Sequence, residues 1–211
     1  MSYMRSEARA RQILDCAKRV FAERGFHAAN VSHICEAAGI GRGTLYQYFA
    51  NKRSVLEAIL RETLDRVKAL MERQSARTVK FPRPENVTRA QAIEFEARAL
   101  RELLEVVFAD EHTLRILLRE AVGLDVDVEK ILGEIDAALV AIVERDIVAA
   151  MRAGFLREMD PHAVAIMIVG GTEKLALDAL RSEAPVDLDR LAREATTLHA
   201  IGTLSDRVKP D

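Results

Sequence analysis

The placement of its prolines sets the strongest limit on how this 211-residue chain can fold. There are five, at 82, 84, 161, 185 and 210, so residues 1–81 and 85–160 contain none. Proline removes a backbone donor and clashes with the preceding turn of a helix, which makes long proline-free stretches permissive for helix. These stretches are also rich in Ala, Leu, Glu and Arg and poor in Gly, which turns permission into preference. No alternation of apolar and polar residues bounded by turn dipeptides marks a hairpin. The expected fold class is all-α, with about nine helices.

Apolar residues recur at helical spacing through these stretches. Residues 6–24 carry Ile13, Ala17, Val20 and Phe21 on one stripe and end at Gly25, a residue suited to closing a helix. Asn30 is placed to cap a short second helix whose inward residues are Val31, Ile34, Cys35 and Ala38. Gly39 stops it, Ile40 and Gly41 turn the chain, and a third helix is expected over 42–49 with Leu45 and Phe49 inward. Asn51 caps a fourth, with Leu56, Ile59, Thr63, Val67 and Leu70 in line. Residues 74–87, polar with two prolines, read as a loop. Thr88 and Gln91 fit a capping box for a fifth helix to about 109, Asp110 caps a short sixth, and the seventh spans 127–153 up to Gly154. Asp160 and Pro161 open the eighth as N-cap and first helical residue, and the ninth starts near 187.

Composition then excludes several classes. Hydrophobic residues make up 49% of the chain, enough for a core and too many for a disordered tail. No apolar run approaches the ~20 residues of a membrane helix, and no charged-then-apolar leader opens the chain. The expected compartment is therefore the cytoplasm, with no membrane partner. Two cysteines, Cys16 and Cys35, cannot build a disulfide framework or a four-thiolate zinc site. Each is expected to be a small buried hydrophobe, a redox switch being the alternative. His112, His162 and His199 share no ligand spacing, so no metal and no cofactor are expected. No catalytic pairing of nucleophile and base and no Gly-rich phosphate loop is present as a motif, so the chain is not expected to be an enzyme. Glu120, Asp125 and Asp127 cluster near Gly123, where solvated helix ends are the simplest reading.

The formal net charge of −2 conceals a gradient. Residues 1–53 hold nine basic and four acidic side chains, a surplus of +5, and the remainder carries −7. A basic headpiece is what binding to a phosphate backbone requires, and an acidic remainder is repelled by a duplex.

Residues 30–52, NVSHICEAAGIGRGTLYQYFANK, read as a short helix, a turn pivoting on Gly39 and a second short helix, which is helix-turn-helix geometry. The second helix is then a candidate for the major groove, read mainly from its N-terminal residues Arg42, Gly43 and Thr44. Arg42 can pair bidentately with guanine and Gln47 with adenine, and Gly43 lets the backbone approach DNA. Tyr46 and Tyr48 offer hydroxyls to phosphates, and Lys52 sits at a helix start, where charge and dipole both attract an anion. Helix pairs about a glycine are common, and a surface tyrosine or lysine is usually just solvated. The combination, an aromatic pair that the core does not need, asks for a partner.

The stretch 11–60 resembles the DNA-binding region of the tetracycline-repressor (TetR) family. The likeness is carried by AAGIGRGTLYQYFANKRSVL and by FAERGFHAANVSHI upstream of it. It covers roughly the first quarter of the chain, and the rest is similar only in helix order and length. The resemblance implies an N-terminal three-helix DNA-binding domain over 1–53 and a larger helical ligand-binding and dimerisation domain over 54–211. It further implies a cytoplasmic homodimer on double-stranded operator DNA, usually a repressor, released when a small-molecule inducer enters the C-terminal domain. Carried over position by position, Arg42, Gly43 and Thr44 match the base-edge readers, and Tyr46, Tyr48 and Lys52 the phosphate contacts. Asn30, Ser32 and His33 start the preceding helix, which touches the backbone; His33 is equally well a surface histidine of no function. Gly41 departs from the Ser or Thr usual at the cap of the recognition helix, a loss of a few tenths of a kcal/mol and of one hydroxyl.

The eighth helix, PHAVAIMIVGGTEKLALDAL, is apolar all round over 163–171 and so needs burial on two sides. Ile168, Gly170, Gly171 and Leu175 of that helix, with Leu188, Leu191, Ala195 and Leu198 of the ninth, are the expected dimer interface. The alternative is one more core helix pair in a monomer. Phe95, Leu103, Phe108, Leu118, Leu139 and Met167 are candidate lining for an inducer pocket, apolar enough for a lipophilic ligand. The expected function is a ligand-released DNA-binding repressor. The alternative is a ligand-binding or scaffold protein of the same fold that no longer reads DNA.

Overall fold

The proline-free stretches are helical in the computed structural model, which describes residues 2–76, 83–108, 110–181, 187–204 and 207, without the side chains of 2–5, 71, 74–76, 106–108 and 201. Among the described residues nine α-helices follow one another: α1 Ser2–Arg24, α2 Val31–Ala38, α3 Arg42–Tyr46, α4 Lys52–Ala76, α5 Arg89–Phe108, α6 Glu111–Arg115, α7 Val126–Arg152, α8 Pro161–Ala179 and α9 Leu188–Thr203. A 3-10 turn, Pro84–Asn86, precedes α5. No strand forms among the described residues, only the single bridge Leu156–Leu204. None of these helices is long and apolar enough to cross a membrane.

Local rules set most of the helix starts. The Asn30 and Asp160 side chains accept the first free amides of α2 and α8, and Pro161 occupies the opening turn of α8. Thr88 and Gln91 bond reciprocally ahead of α5, at 3.0 and 3.3 Å. Asp110 caps α6 through the amides of His112 and Thr113. Four boundaries differ from expectation. The first helix starts at Ser2 rather than near 6. The third helix ends at Tyr46 rather than 49, because Gln47 and Tyr48 close back on Thr44 and Leu45 in a tight turn before the next cap, Asn51. The fourth runs on to Ala76, past the start of the expected loop, of which residues 77–82 lie outside the described residues. The short sixth helix passes into a π-helical turn, Ile116–Glu120, whose wider ring is closed by Ala121 N–H donating to the Ile116 carbonyl at 2.9 Å.

The chain divides into two compact units, Met1–Arg66 with Asp110–Ile135, and Val67–Ala109 with Asp136–Asp211. In the first, α1 packs on α2, α6 and the π turn. Ile13, Phe21, Ile34, Leu45, Leu56 and Ile59 have no solvent exposure, and burial of each contributes about 1.5–3 kcal/mol. Cys35 is buried, whereas Cys16 is half-buried and its thiol donates to the Ala37 carbonyl at 3.4 Å. In the second unit α5 packs along α9. Val67 and Leu70 of α4 meet Leu103 of α5 and Ile142 of α7. Val140 and Ile147 of α7 pack on Ala165 and Val169 of α8.

Candidate nucleic-acid interface

The helix-turn-helix is built by its glycines and by one buried leucine. Gly39 follows α2 with φ +64, a left-handed conformation that costs glycine nothing. Ile40 N–H reaches back to the Cys35 carbonyl at 3.0 Å, which completes the C-terminal cap. Gly41 then starts α3 without a side-chain cap, as its lack of a hydroxyl dictates. Leu45 has no exposure and holds α3 down. Around it Arg42, Gly43, Tyr46 and Gln47 are exposed, Tyr46 to 52%, while Thr44 and Tyr48 are half-buried.

Asn30, Ser32 and His33 meet the same surface. The Asn30 side chain accepts from His33 N–H at 3.1 Å, and His33 Nδ1 accepts from Asn30 N–H at 3.3 Å. This capping box gives His33 a structural part that the sequence reading did not assign, although its position three residues after an Asn cap is the signal for it. The Arg42 guanidinium donates to the Ser32 hydroxyl, so the starts of the two helices are tied together.

Lys52 has a different employment from the one expected. Its ammonium donates to the carbonyls of Phe26 at 2.5 Å, Ala29 at 2.8 Å and His27 at 3.3 Å. Three protons thus serve three acceptors in the loop before α2 rather than standing free for a phosphate. Partial burial there pulls its pKa below the ordinary lysine value. The neighbouring Arg53 is occupied too, by Asp127 at 2.7 Å, Asp125 at 2.9 Å and Glu57 at 3.1 Å. The hydrogen bond to Asp127, and the charges of these carboxylates, hold the guanidinium above its usual pKa. Asp125 is held low, first by the Val128 amide and then by Arg53. Residues 120–127 are therefore more than solvated helix ends.

The other candidates are dispersed. Leu103 and Leu139 share one core cluster. Phe95 is 49% and Met167 70% exposed. Leu118 belongs to the first unit, half-buried, and the Phe108 side chain lies outside the described residues. A cleft of about 30 Å³ between α5 and α9, room for a water, is lined by Glu94, Arg98, Arg101, Asp189 and Arg193 over Ala97 and Ala192. On α8, Ile166, Met167, Gly170, Gly171 and Leu175 are exposed and Ile168 half-buried; on α9, Leu198 is 71% exposed, with Leu188, Leu191 and Ala195 half-buried.

Residues 13–59 match the family model of bacterial regulatory proteins, tetR family. Over those residues the chain carries a TetR-family DNA-binding domain. A relative over most of the chain is the fatty acid metabolism regulator protein of Bacillus subtilis (strain 168), 25% identical over 199 residues that span 90% of this chain and 93% of that protein. The TetR fold extends through both units. FadR from Bacillus subtilis, solved with stearoyl-CoA, matches with a TM-score of 0.73 at 23% identity, over 90% of this chain and 97% of that one. SmeT, solved with triclosan, matches with a TM-score of 0.69 at 27% identity, over 94% of this chain and 93% of that one. The family is one of transcriptional regulators rather than enzymes, and this chain carries its DNA-binding helix-turn-helix domain.

Proposed function

We propose that this TetR-family chain is a homodimeric repressor that reads operator DNA with residues 1–53 and senses a small apolar molecule with residues 54–211, in the cytoplasm. The carrying observation is the outward set Arg42, Gly43, Tyr46 and Gln47 on a helix anchored from below by Leu45. Arg42 and Gln47 offer the donor patterns that distinguish bases in the major groove. Gly43 lets the backbone come close, Thr44 meets a base edge, and Tyr46, Tyr48, Asn30, Ser32 and His33 meet phosphates. Lys52 adds its charge and holds the loop preceding α2.

Two further observations support the dimer and the ligand. The exposed apolar residues of α8 and α9, Ile166, Met167, Leu175 and Leu198, suit a second copy of the chain. A dimer sets two recognition helices about 34–36 Å apart on one face of the duplex. FadR was solved with stearoyl-CoA and SmeT with triclosan, each a ligand with an apolar part, and the aliphatic side chains of Leu100, Leu103, Leu139 and Val143 are of a kind to line a site for one.

The test is a mobility shift on the DNA upstream of the chain's own gene, at low salt, with and without stearoyl-CoA. The expected result is one dimer per site, binding that weakens steeply with salt and release by an apolar ligand. No binding to that DNA, or to any duplex enriched from a random pool, would leave the scaffold reading in its place.

A further inference from the structure

The π-helical turn ends on a side chain that reaches the headpiece. Glu120 Oε2 accepts the amide hydrogen of Phe26 at 2.9 Å, across 94 positions of sequence. The carbonyl of the same residue is the one that takes a proton of Lys52 at 2.5 Å. Phe26 is thus gripped at both its peptide groups, and its ring packs edge-on against Phe21 at 5.3 Å between centroids. Gly25 leaves room for the approach. A Cβ there would stand 3.2 Å from Glu120 Oε2, and its φ of +78 excludes other residues without strain. The loop so held, residues 25–29, leads directly into Asn30, the cap of α2. A second tie lies close in sequence to the first: Arg53, next to Lys52, binds Asp125 and Asp127, a few residues beyond Glu120.

We infer that Glu120 is a positioning residue for DNA reading: through the Phe26 amide it sets the loop 25–29, and with it the start of α2 and the Ser32–Arg42 pair. The inference rests on the proposed DNA-binding function. Its sign separates it from simple electrostatics. Residues 110–135 bring seven acidic and three basic side chains into the unit that holds the helix-turn-helix. On charge alone, removing one of those carboxylates tightens binding to a polyanion. Positioning requires the reverse, because an unheld loop lets α2 and Arg42 wander from the geometry that matches a base edge.

The full-length chain is compared with Glu120→Ala and Glu120→Gln by fluorescence anisotropy. The probes are a duplex enriched by the unmodified chain from a randomised pool and an unrelated duplex of equal length. The expected result is that Glu120→Ala binds the enriched duplex about tenfold more weakly, the scale of one lost charge-assisted hydrogen bond, without weakening on the unrelated duplex. Glu120→Gln, whose Oε1 still accepts the Phe26 amide, stays within about twofold of the unmodified chain. Unchanged or tighter binding of the enriched duplex by the Ala variant overturns the inference, and so does equal weakening by Gln. If the Ala variant melts below the assay temperature, Glu120→Asp, one methylene too short to reach, takes its place with the same two readings. An unmodified chain that enriches no duplex overturns the DNA-binding function itself, and this inference with it.

Discussion

The Lys52 ammonium lies 4.3 Å from the centre of the Phe26 ring and donates to that residue's own carbonyl at 2.5 Å. Two more carbonyls, of His27 and Ala29, complete its donors. Lys52→Met keeps the aliphatic stem and removes every donor. The expected loss is about 2–3 kcal/mol of stability, the scale of charge-assisted bonds to part-buried acceptors. Urea unfolding followed by circular dichroism checks it, and a loss under about 0.5 kcal/mol would mean water replaces the ammonium freely.

Arg42 and Tyr46 are expected to fail in different ways. Arg42→Ala should cost about 1–3 kcal/mol on the preferred site and relax the choice of base at one position. Tyr46→Phe, which removes a hydroxyl from an exposed ring, should weaken every sequence alike. Titrating both variants against single-base substitutions of one duplex separates the two patterns, and a uniform loss for Arg42→Ala would contradict base reading.

Lys18 is an ionic hub inside the first unit. Its side chain is 5% exposed, and its ammonium meets Glu62 at 3.0 Å, Asp15 at 3.6 Å and Asp110 at 3.7 Å. Burial pushes Glu62 and Asp110 upward, but their bonds outweigh it. Lys18 and Arg66 hold Glu62 below the ordinary carboxylate value, and Thr113, Lys18 and His112 do so for Asp110. Lys18→Met removes the buried cation that Glu62 and Asp110 share, leaving Glu62 to Arg66 and Asp110 to Thr113 and His112, and is expected to cost about 1–3 kcal/mol. Because both folded pKa values are depressed, their contribution is present above the ordinary carboxylate range and is lost as pH falls through the depressed values. The penalty of the variant should therefore shrink below about pH 4, which thermal melts from pH 3 to 7 read directly.

Glu96 behaves in the opposite sense. It lies on α5 one turn before Leu100, and burial raises its pKa from 4.5 to about 7. Between those values the folded chain binds more protons than the unfolded one, so stability falls as pH rises through that window. Above it the full cost of the ionised carboxylate is present, on the order of 3 kcal/mol. Glu96→Gln should remove this slope and stabilise the protein at pH 8 but not at pH 4.5. Melting curves across the window decide it, and parallel curves for the two proteins would refute the assignment.

Met167 and Leu198, 70% and 71% exposed, contribute little to the folded single chain. Glutamate at both positions should therefore leave the melting of dilute protein nearly unchanged while shifting sedimentation from dimer to monomer. Loss of operator binding should accompany that shift, since a monomer holds only one half-site.

Helix order was legible because it follows from rules that act over a few residues. Asn30, Thr88 with Gln91, Asp110, and Asp160 with Pro161 each satisfy amides within the next turn. The outward placement of Arg42 and Tyr46 over Leu45 follows from the same short-range periodicity. The π turn was not legible, since one wider ring leaves no repeat in the apolar pattern. Nor was the early end of α3, where the turn at Gln47 and Tyr48 continues helical bonding without the helix.

Residue order alone places the helix starts, makes Gly39 the turn between two of them and puts a basic, aromatic face on the second. Which charges are taken up within the fold emerges from packing between distant segments. Lys18, Lys52 and Arg53 all counted toward the basic headpiece, yet each is engaged within the fold, by Glu62, by the Phe26–Ala29 carbonyls and by Asp125 with Asp127. The difference is one of range. A backbone carbonyl or amide is carried by every residue, so no pattern marks the one that Lys52 or Glu120 will find, and a carboxylate 72 positions away from Arg53 has no periodic relation to it.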